Sequence, residues 1–123
     1  MNGQYVVNEI KRDLDAILSG DSEKLVSDAE KMGKLLGQRG MTTSQIRKIF
    51  TDVKRIKMRE FDRYELDILR PKMAYVAGRH KRGARDLQEV LDAAIQKVDS
   101  KEKFDKFRDF FEAIVAYHYK YEK

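Results

Sequence analysis

The side chains of this sequence best suited to chemistry are its cations, and the chemistry they suit is the neutralisation of phosphate. Between positions 39 and 85 stand Arg39, Arg47, Lys48, Lys54, Arg55, Lys57, Arg59, Arg63, Arg70, Lys72, Arg79, Lys81, Arg82 and Arg85, against Asp52, Glu60, Asp62, Glu65 and Asp67. A surface lined by lysine and arginine binds polyanions through counterion release and needs no particular base sequence to do so. Spacing gathers four of these cations on one stretch. Arg47 with Lys54, and Lys48 with Arg55, recur two helical turns apart and so stack along an outer helix face. Lys72 and Arg79 extend the positive region, followed by Lys81 and Arg82 in the run RHKRGAR. An ordinary solvated face has the same pattern, and the residues alone leave both readings open. The rings of Tyr64 and Tyr75 suit stacking on bases, although tyrosines at helical spacing are more often packed.

Catalysis finds no converging set of groups. His80 and His118 are the only histidines. They lie far apart and lack the i, i+4 partner or adjacent carboxylates that a zinc helix shows. His118 reads as a core or interface residue. Ser19, Ser22, Ser27, Ser44 and Ser100 occupy cap-like, polar or loop positions, and none sits in a nucleophile elbow. Acidic pairs such as Asp62 with Glu65 lie among bases and read as solvated. Neither a Walker A run nor a GxGxxG is present. The expectation is of a protein that is not an enzyme, with no catalytic residues, no metal ligands and no cofactor.

Composition sets the frame for these side chains. A chain of 123 residues suits one domain with one core. One proline and seven glycines are too few for the turns of an all-β sandwich, and the absence of cysteine excludes disulfides and thiolate metal sites. The net charge of +5, from 26 Lys and Arg against 21 Asp and Glu, is compatible with a polyanionic partner. Apolar runs fall far short of the roughly 20 residues that a membrane span needs, and no signal-peptide h-region is present. The expectation is a soluble, cytoplasmic protein without membrane attachment.

The elements that must position the cations follow from periodicity. A first helix over Gln4–Ser19 carries Val6, Ile10, Leu14 and Ile17 and stops at Gly20. Asp21 or Ser22 caps a second, with Leu25, Ala29, Met32 and Leu36 inward and Gly37 and Gly40 ending it. The short link that follows makes the second and third helices close neighbours. Thr42 and Gln45 form a capping box for the third, TTSQIRKIFTDVKRIKMREF, with Met41 and Ile46 as its hydrophobic staple. Its inner stripe is Ile46, Ile49, Phe50, Val53 and Ile56. A break over Phe61–Tyr64 precedes a stripe of Leu66, Leu69, Met73 and Val76 on one helix kinked at Pro71. Gly78 ends that helix or permits a close approach, and Arg79–Arg85 reads as an exposed basic loop. A fifth helix spans Arg85–Val98, Asp99 with Glu102 caps the next, and Ser100–Tyr119 carries Phe104, Phe107, Phe111, Ile114, Val115 and His118 along one side. The fold expected is all-α, a compact bundle of five to six helices forming one domain over residues 1–123.

Three blocks, MTTSQIRKIF, LRPKMAYVAGR and FRDFFEAIVAYHYKY, in this order and at these intervals, resemble the small subunit of the type III-A CRISPR effector, the Csm complex. They span most of residues 41–121, the family-like core, while residues 1–40 form variable N-terminal helices that resemble the family only loosely. The resemblance implies a helical, non-catalytic subunit of an RNA-guided antiviral complex that touches the sugar-phosphate backbones of guide RNA and target RNA without sequence specificity. The family's basic positions carry over to Arg47, Lys48, Lys54, Arg55, Lys72 and Arg79; Lys81 and Arg82 are added from local charge. The partners implied are other Csm subunits and further copies of the chain, with a homodimer as one state of the isolated protein. The alternative is a helical protein-interaction adaptor whose basic face merely keeps it in solution.

Overall fold

Among the described residues helical periodicity is realised in six α-helices: α1 (Gly3–Leu18), α2 (Ser22–Gln38), α3 (Thr43–Lys54), α4 (Arg63–His80), α5 (Arg82–Lys97) and α6 (Lys101–Tyr121). The computed structural model describes residues 3–56 and 62–122, and these contain no strand. The all-α bundle expected from periodicity holds, at the upper helix count.

Local chemistry explains most of the helix starts. Asp21 accepts from the Lys24 amide to cap α2, after Gly20 turns the chain at φ +106°. At α3 both halves of the box form, Thr42 accepting from the Gln45 amide at 3.2 Å and the Gln45 side chain accepting from the Thr42 amide at 3.0 Å. Met41 and Ile46 are both buried, as a staple requires. Helix α6 is capped by Ser100, which accepts from the Lys103 amide at 3.2 Å. The expected Asp99–Glu102 pair does not cap it; Asp99 instead meets the Lys103 ammonium at 3.2 Å.

The core centres on α6. Phe104, Phe107, Phe110 and Phe111 are all fully buried, each contributing about 1.5–3 kcal/mol of burial. Phe111 meets the edge of Phe50 from α3 at 5.1 Å between ring centroids. The most extensive packing is α6 on α2, and two glycines make it close. A Cβ on Gly33 would stand 2.6 Å from the His118 backbone nitrogen, and one on Gly37 would stand 2.7 Å from the Tyr121 carbonyl oxygen. Gly37 thus does not end α2, as expected from sequence; it lies inside the helix and admits α6.

The end of α6 also holds α3. His118 is fully buried, and its Nε2 donates to the Met41 carbonyl at 2.6 Å. Glu122 accepts from the Thr43 amide at 2.8 Å and from the Thr43 hydroxyl, and these bonds, the hydroxyl's first, hold its carboxyl below the usual range. Because the start of α3 is anchored here, α3 packs on α6 and α4 and makes at most marginal contact with α2. The expected close α2–α3 pairing is therefore absent.

Three further expectations are corrected. Helix α3 ends at Lys54, with Arg55 as its C-cap, so it does not continue to Phe61; the break expected at Phe61–Tyr64 begins outside the described residues, and Asp62 caps α4 by accepting from the Tyr64 amide. Helix α4 does run through Pro71, which cannot donate to the Asp67 carbonyl, but it passes Gly78 too, beside which a Cβ would meet nothing within 4 Å. The basic loop Arg79–Arg85 does not exist: α4 reaches His80, α5 starts at Arg82, and only Lys81 lies between them. The reversal is made by Lys81 at φ 56°, ψ −156° and Arg82 at φ 40°, with Gly83 and Ala84 buried behind.

Between α1 and α2 one acid is buried. Asp28 is 2% exposed and lies against Asp13. Burial first, then the hydrogen bond and negative charge of Asp13, push its pKa up to about 7, while that same bond holds Asp13 below the carboxylate range. The Lys24 ammonium lies 3.3 Å from Asp13.

Candidate functional site

The contact between α3 and α4 is thin, and the space it leaves is a groove of about 820 Å³. Its floor is apolar, built from Ile49 of α3 with Leu69, Met73 and Val76 of α4. Lys48 contributes from α3, and Lys72, Tyr75 and Arg79 from α4. A second hollow of about 210 Å³ shares Asp52, Ile68, Leu69 and Lys72 with the first and extends to Arg55 and Tyr64. Together they form a furrow running from His80 down to Tyr64, about 24 Å of helix at 1.5 Å per residue.

One amide ties the two helices at the upper end of this furrow. Gln45 uses its oxygen to complete the α3 capping box, and its nitrogen lies 3.1 Å from Nδ1 of His80 at the end of α4. An amide nitrogen only donates, so Nδ1 accepts and the imidazole carries its proton on Nε2.

Of the cations expected at the site, the structure brings Lys48, Lys72 and Arg79 together around the groove and sets Arg55 at its lower end. Arg55 shares its charge with Asp52 at 3.4 Å. Among the described residues Lys48, Lys72 and Arg79 have no carboxylate partner; Arg79 donates to the Tyr75 hydroxyl at 3.3 Å. Arg47 and Lys54 are exposed but lie on the other flank of α3, where the Lys54 ammonium sits 5.3 Å from the Phe50 ring centroid. Lys81 and Arg82 are exposed at the α4–α5 junction, just past the upper end of the groove. The basic surface of α3 is therefore two lines about 100° apart, and one of them faces α4.

Other cations of the same region are committed elsewhere. Arg63 donates to the carbonyls of Ile95 and Val98 at 2.8 and 2.6 Å, closing the end of α5, and Arg70 pairs with Asp92 at 2.7 Å. Arg39 meets Asp86 at 3.3 Å. Lys57 and Arg59 lie outside the described residues.

Sequence reasoning undervalues the tyrosines. Tyr64 and Tyr75, for which the residues leave base stacking and packing both open with packing the commoner, are 71% and 66% exposed, with Ile68 on the same side of α4 at 39%. A signal is present: Tyr64, Ile68 and Tyr75 repeat at helical spacing but out of phase with the buried Leu66, Leu69 and Met73, so α4 is apolar on two sides. The tie between Gln45 and His80 gives no such signal.

Among the described residues no group of three His, Asp or Glu is placed to hold a metal ion, and no helix is long and apolar enough to cross a membrane. Among known proteins, a family model described as Csm2 Type III-A matches residues 19–123, taking in α2 to α6. No curated protein and no solved structure matches the chain.

Proposed function

The chain belongs to the Csm2 Type III-A family, small subunits of the Csm complex, and we propose that it acts there as a non-catalytic clamp on the sugar-phosphate backbone of guide or target RNA. The observation that carries this reading is the grouping of Lys48, Lys72 and Arg79 around one groove with no carboxylate partner among the described residues. Asp52, the carboxylate in the groove lining, is paired with Arg55, and cations gathered without ion pairs of their own cost free energy that a bound polyanion relieves. Arg55 extends the line, and Arg47, Lys54, Lys81 and Arg82 supply a broader positive surround. Sequence reading in guided complexes is delegated to base pairing, so a subunit holding backbone binds any sequence alike. Its own affinity is weak and steeply salt-dependent, and many copies with neighbouring subunits add their contacts.

The test is binding of unrelated RNA oligomers across a salt series. Replacing Lys48, Lys72 and Arg79 together with glutamine is expected to lower the salt slope by about 0.7 for each phosphate no longer neutralised and to weaken every sequence alike. An unchanged slope rejects the groove as the site. The exposed Tyr64 and Ile68 favour a second reading, the protein-binding adaptor. Retention of Csm partners by the charge-neutralised chain, together with no RNA bound by the assembled complex, supports that reading instead.

A further inference from the structure

A groove built for phosphate alone has no use for an apolar floor, because phosphate gains nothing from aliphatic walls and loses hydration against them. Yet Ile49, Leu69, Met73 and Val76 line this one, and Tyr75 stands at its rim with its ring two-thirds exposed. Arg79 holds the Tyr75 hydroxyl at 3.3 Å, which leaves that ring restrained but uncovered. Tyr64 lies further down the same furrow, beside Arg55 and Lys72, where Asp52 and Glu65 also line the wall and Asp52 is paired with Arg55. Aromatic and cationic side chains thus alternate along α4, in the order Tyr64, Lys72, Tyr75, Arg79. A ligand complementary to both has flat apolar units joined by regularly spaced negative charges.

We infer that the α3–α4 groove takes unstacked, single-stranded nucleotides, with a base laid against Tyr75 over the apolar floor and the flanking phosphates on Lys48, Lys72 and Arg79. This rests on the RNA-binding reading above and sharpens it: the occupant is a strand with its bases splayed out, and a paired strand, whose bases are already stacked, cannot use the floor. Stacking of a base on an aromatic side chain tolerates any sequence, since every base has a π-face. The inference therefore keeps sequence indifference while predicting dependence on the presence of a base.

The experiment uses the full chain at low salt with three labelled probes: a 12-nucleotide single-stranded RNA, the same strand with tetrahydrofuran abasic residues, and an RNA duplex of equal length. The intact strand is expected to bind about 10-fold tighter than the abasic one, the lower part of the range for stacking one base. Tyr75→Ala is expected to bring the intact and abasic strands to equal affinity, while Tyr75→Phe retains the difference between them. Because Tyr75 is exposed, its variants fold, which the helical circular dichroism signal checks. Equal binding of intact and abasic strands, or a duplex bound as tightly as the single strand, overturns the inference while leaving the backbone reading in place. No binding of any RNA, even by the assembled complex, overturns both. Loss of Csm partners by Tyr75→Ala with RNA binding intact assigns the ring to a protein contact and overturns the inference.

Discussion

Two side chains in this protein sit where their chemistry is disfavoured, and each makes a measurable prediction. In the unfolded chain Asp28 ionises near 3.8, whereas in the fold it keeps its proton up to about 7. Proton binding thus favours the folded state, fully below 3.8, and the advantage is lost as pH rises through about 7. Asp28→Asn stays neutral and can donate to Asp13 at every pH. At pH 8 the variant is expected to exceed the parent by about 1–3 kcal/mol, the cost of a buried group left without its bond. The difference is expected to shrink toward pH 5; thermal unfolding followed at both pH values checks it, and a constant difference contradicts it. Lys81 is disfavoured by its backbone, since φ 56° with ψ −156° lies in a region that is nearly glycine's alone. Lys81→Gly is expected to stabilise by about 1 kcal/mol, seen as a higher denaturant midpoint with an unchanged slope.

At the scale of the helices, what matters is which face a residue turns to a neighbour. Gly33 and Gly78 are both helical, yet their alanine variants are expected to move in opposite directions. At Gly33 the new methyl meets backbone at 2.6 Å, so α2 and α6 must separate at a cost at or above the roughly 1–3 kcal/mol of ordinary overpacking. At Gly78 nothing lies within 4 Å, and alanine is expected to gain about 0.5–1 kcal/mol from helix propensity. Denaturant unfolding of the two variants decides it. The same contrast explains what is legible in the sequence. The capping box at Thr42 and Gln45, the cap of α2 and the buried stripes are readable because each is set within two or three turns of chain. Gly37 misleads because its partner, Tyr121, lies at the far end of the sequence. The α4–α5 junction misleads because two non-glycine residues with positive φ replace the loop that seven mostly polar residues suggest. Of the site, the cations Lys48, Lys72 and Arg79 can be picked out by charge and spacing; the groove that joins them cannot, since it depends on how little α3 and α4 touch.

Across the whole molecule the packing is uneven. Helix α3, with 12 residues, joins the common core through Ile46, Ile49 and Val53, but it is the shortest element, held by α6 through Phe50 on Phe111, by Glu122 and His118 near its start, and by sparse contact with α4. Short helices draw their stability from packing, so α3 is expected to open before the rest. Native-state hydrogen exchange checks this: amides of Ile49–Val53 are expected to exchange through a lower-energy opening than those of Phe107–Ile114. Equal protection of the two segments contradicts it. The double duty of Gln45 bears on how such an opening is felt. A guest wide enough to spread the two helices must first unhook that amide from His80, and the same amide secures the first turn of α3. Such entry removes one of the two bonds that fix the Gln45 side chain, so faster exchange of the Thr42 amide, which that side chain covers, is the expected sign that something has come in.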